Sequence, residues 1–342
     1  RSSSERYPAD LCKVHCMTAA QGPSLRGRLM LGRPALNRVD ELRGDADRVA
    51  AFWADPRARV LVLFGDSVEL ASPAPNPTLR LTPTSEFGAE RPSQAFLLGL
   101  DGEAPVFGLI DDSNSAAEAD AGNRSSLRQI GANLNDRDSE LITTTMALGN
   151  WHRTHPCCPR CGAPTVVERA GWVRRCPVDD SLHFPRTDPA VIVLVIDSFS
   201  NALLGRRTTW DDTWFSTLAG FVEPGESAES AVVREVGEEV GVEVDPASVQ
   251  FLGSQPWPFP SSIMLGFHAF ARANQGTRPD GEEIAEARWF SRADLFRLCS
   301  SGEVKIPPKI SIARHLIEEW YGEELPGDWS RSSDRGGKLA GN

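Results

Sequence analysis

Short blocks of apolar residues, separated by turn-forming letters, recur along most of this chain. Arg59–Gly65 (RVLVLFG), Gln94–Leu100 (QAFLLGL) and Pro105–Asp111 (PVFGLID) are the strand candidates of the first half. The polar stretch Asp111–Ser126, rich in Ala, Ser, Asn and Asp, predicts a loop, and Glu140–Asn150 carries helix-compatible letters. From about Arg186 to Tyr321, strand-like runs alternate with two helical patterns, as in an α/β unit. No internal repeat is visible. Residues 1–16 show no periodic pattern and read either as an extension ahead of Met17 or as a loose native N-terminus. Residues 325–342 are Gly/Ser-rich with few apolar letters and predict a disordered tail.

Length and charge narrow the class. With 342 residues the chain has room for two or three domains. Its longest apolar runs, near Val60–Phe64 and Ala190–Ile196, fall far short of the roughly 20 residues of a membrane span. No charged-then-apolar leader opens the sequence, so a soluble protein is expected. Lys and Arg number 36 against 47 Asp and Glu, a net charge of −11. That balance lacks the broad positive field of a general nucleic-acid binder, and it suits collection of divalent cations. Of seven cysteines, Cys157, Cys158, Cys161 and Cys176 lie within 20 residues, which points to metal binding in a reducing cytoplasm rather than to disulfides.

The strongest chemical signal is Gly220-Phe-Val-Glu-Pro-Gly-Glu226, seven residues, then Arg234-Glu-Val-Gly-Glu-Glu-Val-Gly-Val242. Pro224-Gly225 marks a turn, Ser227 is an N-cap candidate and Gly241 a natural helix stop. Ala231, Val232, Val236 and Val240 form the apolar stripe. Glu235, Glu238 and Glu239 then share one helix face, where like charges repel unless a cation intervenes. An acidic run is ordinarily a solvated face; here the preceding loop and the spacing argue for Mg²⁺ or Mn²⁺ held through oxygens.

This segment resembles the box of the Nudix hydrolases, letter for letter. The resemblance implies a metal-dependent enzyme that cleaves a diphosphate linked to a nucleoside. It makes Glu235 and Glu239 metal ligands, with the carbonyl of Ala219 completing the shell, and Glu238 a ligand or the general base. Glu226 and Arg234 become a structural ion pair.

Further on stands Ser254-Gln-Pro-Trp-Pro-Phe-Pro-Ser-Ser262, where alternating prolines fix an extended backbone. It matches the signature of the NADH pyrophosphatase (NudC-like) branch of that family. The branch implies hydrolysis of NAD(H) to nicotinamide mononucleotide and AMP, and removal of NAD caps from RNA 5′ ends. It assigns substrate contacts to Gln255, Pro256, Trp257, Pro258, Phe259, Pro260, Ser261 and Ser262. It also implies Glu283 as a late metal-binding carboxylate, Ala313 as a backbone contact, and Arg128 as an arginine from the N-terminal side. Phe184 and Phe221 correspond to aromatics that sandwich the base across a homodimer. The family usually has Tyr where Phe184 stands, so stacking survives without the phenolic hydroxyl.

Cys158-Pro-Arg-Cys161, fourteen residues, then Cys176-Pro-Val-Asp179 has zinc-ribbon spacing with Asp179 in place of the last cysteine. Two outcomes stay open: zinc held by Cys₃Asp, or zinc lost with the ribbon fold kept. The expected architecture is therefore α+β and multidomain. Residues 17–150 form an N-terminal NADH-pyrophosphatase-like α+β domain and 151–185 a zinc-ribbon-like linker. Residues 186–324 form a Nudix α/β/α sandwich. The rival activities are Nudix hydrolysis of ADP-ribose, coenzyme A or diadenosine polyphosphates, and a non-catalytic RNA- or protein-binding ribbon module.

Overall fold

A computed structural model describes residues 24–25, 27–112, 123–272 and 275–327 of the chain. The N-terminal unit has seven strands: β1 Arg59–Phe64, β2 Ser67–Ser72, β3 Thr78–Leu79, β4 Thr82–Pro83, β5 Ala95–Asp101, β6 Ala104–Asp111 and β7 Arg124–Ser126. Their order is β3-β2-β1-β6-β5, with β4 on β1 and β7 on β2, and β1 runs parallel to β6. Helices α1 (Ala46–Ala54), α2 (Leu127–Ile130) and α3 (Asp136–Thr154) complete it. Asn135 caps α3 by accepting from the Asp138 amide, and Leu141, Ile142, Met146 and Leu148 bury its inner face in the core. Glu140 on the same helix is buried and accepts from the Ala35 and Leu36 amides at 2.6 and 2.9 Å, tying the incoming chain to α3.

The loop expected over Asp111–Ser126 is only partly one. Asp111 ends β6, Arg124–Ser126 pairs with β2 as a strand, and Ser126 caps α2. Residues 113–122 lie outside the described residues, as do residues 1–16 and Met17.

A three-stranded sheet follows, β8 (Val166–Glu168), β9 (Val173–Arg175) and β10 (Leu182–His183), in the order β10-β9-β8. It is fastened to the N-terminal unit by Trp172, whose indole donates to Leu97 O at 2.8 Å while Arg43 stacks on its ring at 3.6 Å.

The C-terminal unit contains β11 (Asp188–Ile196), β12 (Ala202–Arg207), β13 (Leu218–Phe221), α4 (Ala228–Val240), β14 (Gln250–Trp257), β15 (Ser262–Phe270) and β16 (Ile284–Phe290). Helices α5 (Arg292–Ser301) and α6 (Ile312–Tyr321) close it. The sheet runs β14-β15-β11-β12-β16, with β13 on β11. The apolar run of β11 is unbroken because both its faces are covered. Val191, Val193 and Val195 pack with Val232, Val236 and Val240 of α4, and Ile192, Leu194 and Ile196 pack with Leu316, Ile317 and Trp320 of α6. This is the expected α/β/α sandwich.

The absence of a visible sequence repeat conceals a repeat in topology. In the first unit β5-β6-β1-β2 carries β4 on β1 and β7 on β2; in the second, β14-β15-β11-β12 carries β13 on β11 and β16 on β12. The central pair is parallel in both. Strand pairing needs only apolar spacing and turns, which many unrelated sequences satisfy. Where the second copy inserts α4, the first has only a 3₁₀ turn, Thr84–Phe87, between β4 and β5. Among the described residues the glutamate helix occurs once.

The two copies meet over the proline-rich segment. Arg128 stacks on Phe259 at 3.8 Å, and Asn150 Nδ2 donates to Pro258 O at 3.1 Å and Pro260 O at 2.9 Å. At the other end, Leu325–Gly327 do not follow the expected disorder. Buried Arg314 donates to the carbonyls of Leu325 and Gly327 at 2.5 and 2.9 Å while pairing with Glu318 at 2.7 Å. Residues 328–342 lie outside the described residues.

Candidate active site

Helix α4 begins and ends where its sequence dictates. The Ser227 hydroxyl accepts from the Ser230 amide at 3.2 Å, and Gly241 adopts the left-handed conformation (φ 65°) that stops the helix. Arg234 clamps the preceding loop, reaching Glu226 Oε1 at 2.5 Å, Glu226 Oε2 at 3.2 Å and the Phe221 carbonyl at 3.0 Å. The expected structural ion pair is thus a bidentate one.

The three helix glutamates share a face, with Glu235 and Glu238 both meeting Arg234 Nη1 at 2.9 and 3.0 Å, but they differ in burial. The Glu239 residue is 3% exposed and the Glu235 side chain 14%, whereas the Glu238 side chain is 64% exposed and turned to Arg234 Nη1 at 3.0 Å. Glu283, 48% exposed, brings a third carboxylate near Glu239 from the turn before β16, which Asp280 Oδ1 caps by accepting from the Glu283 amide at 3.1 Å. Glu239 Oε2 is buried without a hydrogen-bond partner. Burial, then the charges of Glu283 and Glu235, push the Glu239 carboxyl up to about 8. Burial raises Glu235 as well, against the pull of Arg234. An orphaned carboxylate oxygen beside two further carboxylates fits a hard divalent cation, which takes oxygen ligands and would relieve this repulsion.

Beside Glu239 opens a cleft of about 170 Å³ whose walls include Ala219, Trp257, Ala313 and Arg207. It therefore joins the Nudix helix, the proline-rich segment and the start of α6. The proline-rich segment is a β14–β15 hairpin with its prolines toward the tip, not one extended strut. Gln255 is not free to meet a substrate: it is fully buried, donates to Ile310 O at 3.0 Å and accepts from the Ile312 amide at 2.8 Å. It positions the start of α6 and, through it, Ala313. The Ala313 amide is itself taken by the Ser311 hydroxyl at 3.3 Å. Ser261 donates to Asp188 at 2.6 Å and pins the hairpin to β11, where Ser262 is the register partner of Asp188. Pro256 packs so closely on Gly32 that an added Cβ there would meet it at 2.7 Å, and Pro258 is buried. Phe184 and Phe221 are 61% and 60% exposed.

Sequence reasoning missed Arg207, ion-paired with Glu283 on the cleft wall, and Thr217, whose buried hydroxyl in the same wall has no partner. A lone arginine or threonine in a strand pattern gives no signal of such placement.

In the ribbon, the ligand atoms of Cys158, Cys161, Cys176 and Asp179 all lie within 4.8 Å of one another. Cys161 and Cys176 sulfurs stand 3.5 Å apart, and Cys158 Sγ is 3.6 Å from Asp179 Oδ2. Tetrahedral zinc with bonds of about 2.3 Å needs ligands roughly 3.8 Å apart, so this set fits. Burial disfavours the Cys158 thiolate, yet hydrogen bonds from Ser181, the Cys161 and Arg160 amides and His183 bring its pKa down to about 6. Burial pushes Cys176 up to about 11. Cys157 is exposed and outside the set.

A carboxylate-bearing helix entered through a glycine-led loop, on the face of a mixed sheet between two helical layers, is the Nudix hydrolase arrangement. Family comparisons agree along the chain. The NUDIX domain matches residues 186–309, the NADH pyrophosphatase zinc ribbon domain 153–184, and the NADH pyrophosphatase-like rudimentary NUDIX domain 57–151. NAD-capped RNA hydrolase NudC of Mycobacterium bovis (strain BCG / Pasteur 1173P2) is 38% identical over 322 aligned positions, 86% of this chain and 96% of the relative. The Mycobacterium tuberculosis H37Rv protein of the same description has the same identity and coverage. NAD-capped RNA hydrolase NUDT12 of Homo sapiens is 37% identical over 199 positions, 55% of this chain and 42% of the human protein. The chain belongs to the NudC-like, NADH pyrophosphatase family of Nudix hydrolases. Membership implies the use of zinc by the ribbon domain and of a divalent metal by the Nudix domain.

Proposed function

We propose that this enzyme hydrolyses the diphosphate of NAD(H) to nicotinamide mononucleotide and AMP, and removes NAD caps from RNA to leave a 5′-monophosphate end. One observation carries the reading. Glu239, whose buried Oε2 has no hydrogen-bond partner, lines the same cleft as Trp257 of the proline-rich hairpin, with the charges of Glu283 and Glu235 close enough to act on its carboxyl. Glu235, Glu239 and Glu283, with the Ala219 carbonyl, would hold Mg²⁺ or Mn²⁺. Such a cation supplies charge neutralisation on the diphosphate and makes an attacking water more acidic. The water oxygen bonds to phosphorus as the bridging P–O bond breaks, and the bridging oxygen leaves on the departing monophosphate. Glu238, exposed and on the same helix as Glu235 and Glu239, would serve as general base. Trp257 and Phe259 would flank the nucleotide, with Arg128 steadying the Phe259 ring.

The ribbon would bind zinc through Cys158, Cys161, Cys176 and Asp179, a set that needs reduced thiols and so a cytoplasmic setting. Exposed Phe184 and Phe221 suit a homodimer in which each copy completes the base sandwich of the other. The working division into functional parts is 17–150, 151–185 and 186–324. Among the described residues no helix is long and apolar enough to cross a membrane.

Purified protein with Mn²⁺, given NADH, ADP-ribose and a short NAD-capped RNA in parallel, tests the activity. Nicotinamide mononucleotide released from NADH or from the capped RNA, with ADP-ribose cut poorly, is the expected result. Cleavage of ADP-ribose alone would move the chain to another Nudix substrate class.

A further inference from the structure

Arg207 closes β12 at an irregularity in its ladder with β16. Arg206 faces Glu286, but the next residue, Arg207, faces Ile284, so Ala285 is skipped. A bulge of this kind brings a residue of the partner strand one step nearer and re-aims the side chains beside it. Its effect here is to draw Glu283 alongside: the Thr208 amide donates to Glu283 O at 3.0 Å, and the Arg207 guanidinium pairs with the Glu283 carboxylate. Arg206, one residue earlier, is engaged elsewhere, with Asp212 at 3.2 Å and Glu286 at 3.5 Å. Arg207 is the one Lys or Arg among the described residues lining the cleft that also contains Glu239.

Resting on the diphosphatase reading above, we infer that Arg207 is a diphosphate-binding residue that exchanges partners, leaving Glu283 when a divalent cation takes that carboxylate and then engaging the substrate's phosphate oxygens. Glu283 has one charge to share, so a cation at the carboxylate trio competes directly with the guanidinium. Once displaced, Arg207 is a planar fork of donors on a cleft wall, a geometry matched to phosphate oxygens. The pair with Glu283 keeps the arginine at the right place while the site waits, and offsets part of the repulsion among the carboxylates.

Arg207→Met keeps an unbranched apolar stem and removes the charge; Arg207→Lys restores the charge without the fork. Two quantities are measured that do not depend on turnover. The first is Mn²⁺ affinity of metal-free protein without nucleotide, by titration calorimetry or paramagnetic resonance. The second is affinity of the Mn²⁺-loaded protein for a methylene-bridged, uncleavable dinucleoside diphosphate. Arg207→Met is expected to bind Mn²⁺ about tenfold tighter and the analogue about tenfold more weakly, with Arg207→Lys between. The KM for NADH should rise in step with the analogue's dissociation constant. Unchanged Mn²⁺ affinity overturns the exchange, and unchanged analogue affinity overturns the diphosphate contact. A lowered melting temperature with both affinities unchanged assigns Arg207 a structural role and overturns the inference. Should parent protein bind the analogue but leave NADH and capped RNA uncleaved, the proposed function fails while the Arg207 comparison is still decided.

Discussion

Gly220 lies directly beneath the Glu235 carboxylate: a Cβ built on Gly220 would stand 2.0 Å from the Glu235 carboxyl carbon. The first glycine of the Nudix box is therefore a demand of packing, since any side chain there occupies the place of the Glu235 carboxylate, a proposed metal ligand. Gly220→Ala should displace Glu235 and lower both Mn²⁺ affinity and NADH hydrolysis at least tenfold. The variant should still fold, because β13 tolerates alanine. Calorimetric titration beside an activity assay and a melting curve separates these effects.

Glu239→Gln should abolish turnover, by more than about a hundredfold, while the fold persists. Parallel assays of NADH hydrolysis and circular dichroism check it; unchanged hydrolysis would sink the site assignment.

The same substitution carries a pH signature. The folded pKa near 8 exceeds the ordinary 4.5 of a glutamic acid. Between those values the folded state retains a proton that the unfolded chain has released. Stability therefore falls at this site as pH rises through that window. With chelator present, Glu239→Gln should melt above its parent at pH 8, by on the order of 3 kcal/mol, and the gap should close toward pH 5. Cation binding at pH 7 should also release protons, visible as a dependence of binding heat on the buffer's ionisation enthalpy.

Gln255→Leu removes both hydrogen bonds that hold the start of α6 and leaves the Ile312 amide and Ile310 carbonyl unpaired in the interior. A loss of about 2–4 kcal/mol in stability is expected. Because Ala313 lies on the cleft wall, KM for NADH should rise as well. Chemical denaturation and steady-state kinetics read the two effects separately.

In the ribbon, Asp179→Cys should retain zinc against stronger chelators than the parent does, and Cys176→Ser should lose it. Metal analysis after stepwise chelation gives the order. Removing zinc should loosen residues near Cys158–Ser181 before the Nudix sheet responds, which hydrogen exchange resolves.

Much of the site was legible before any fold was known. Ser227, Gly241 and the valine stripe are local signals, and Glu226 with Arg234 lie eight residues apart across one loop. The ribbon's spacing was visible too, but with Asp179 in the last place it left zinc binding open, and the fold shows the four candidate ligand atoms within 4.8 Å of one another. The exposure of Glu238 was not legible. Residues three and four apart share a helix face in any helix, but which edge of that face a sheet covers depends on the docking angle of α4. Gln255 misled for a related reason. An amide within an aromatic, proline-rich stretch suits a ligand, and only the approach of α6, more than fifty residues later, consumes both its ends.

By itself the sequence determined the elements whose causes are short-ranged: helix α4 with its caps, the clamp on its loop, the cysteine cluster, and the long apolar strands β1, β5 and β6 of the first unit. The tertiary structure alone decided what depends on distant segments meeting. It seated the proline hairpin against Arg128 and Asn150, built a second copy of the sheet without a counterpart of α4, and used a skipped residue in β16 to set Glu283 beside Arg207. Local signals survive in a single sequence because each is a property of neighbouring residues. Burial, charge pairing and the shape of a cleft are properties of pairs far apart in the chain, and they acquire values only when the fold brings those pairs into contact.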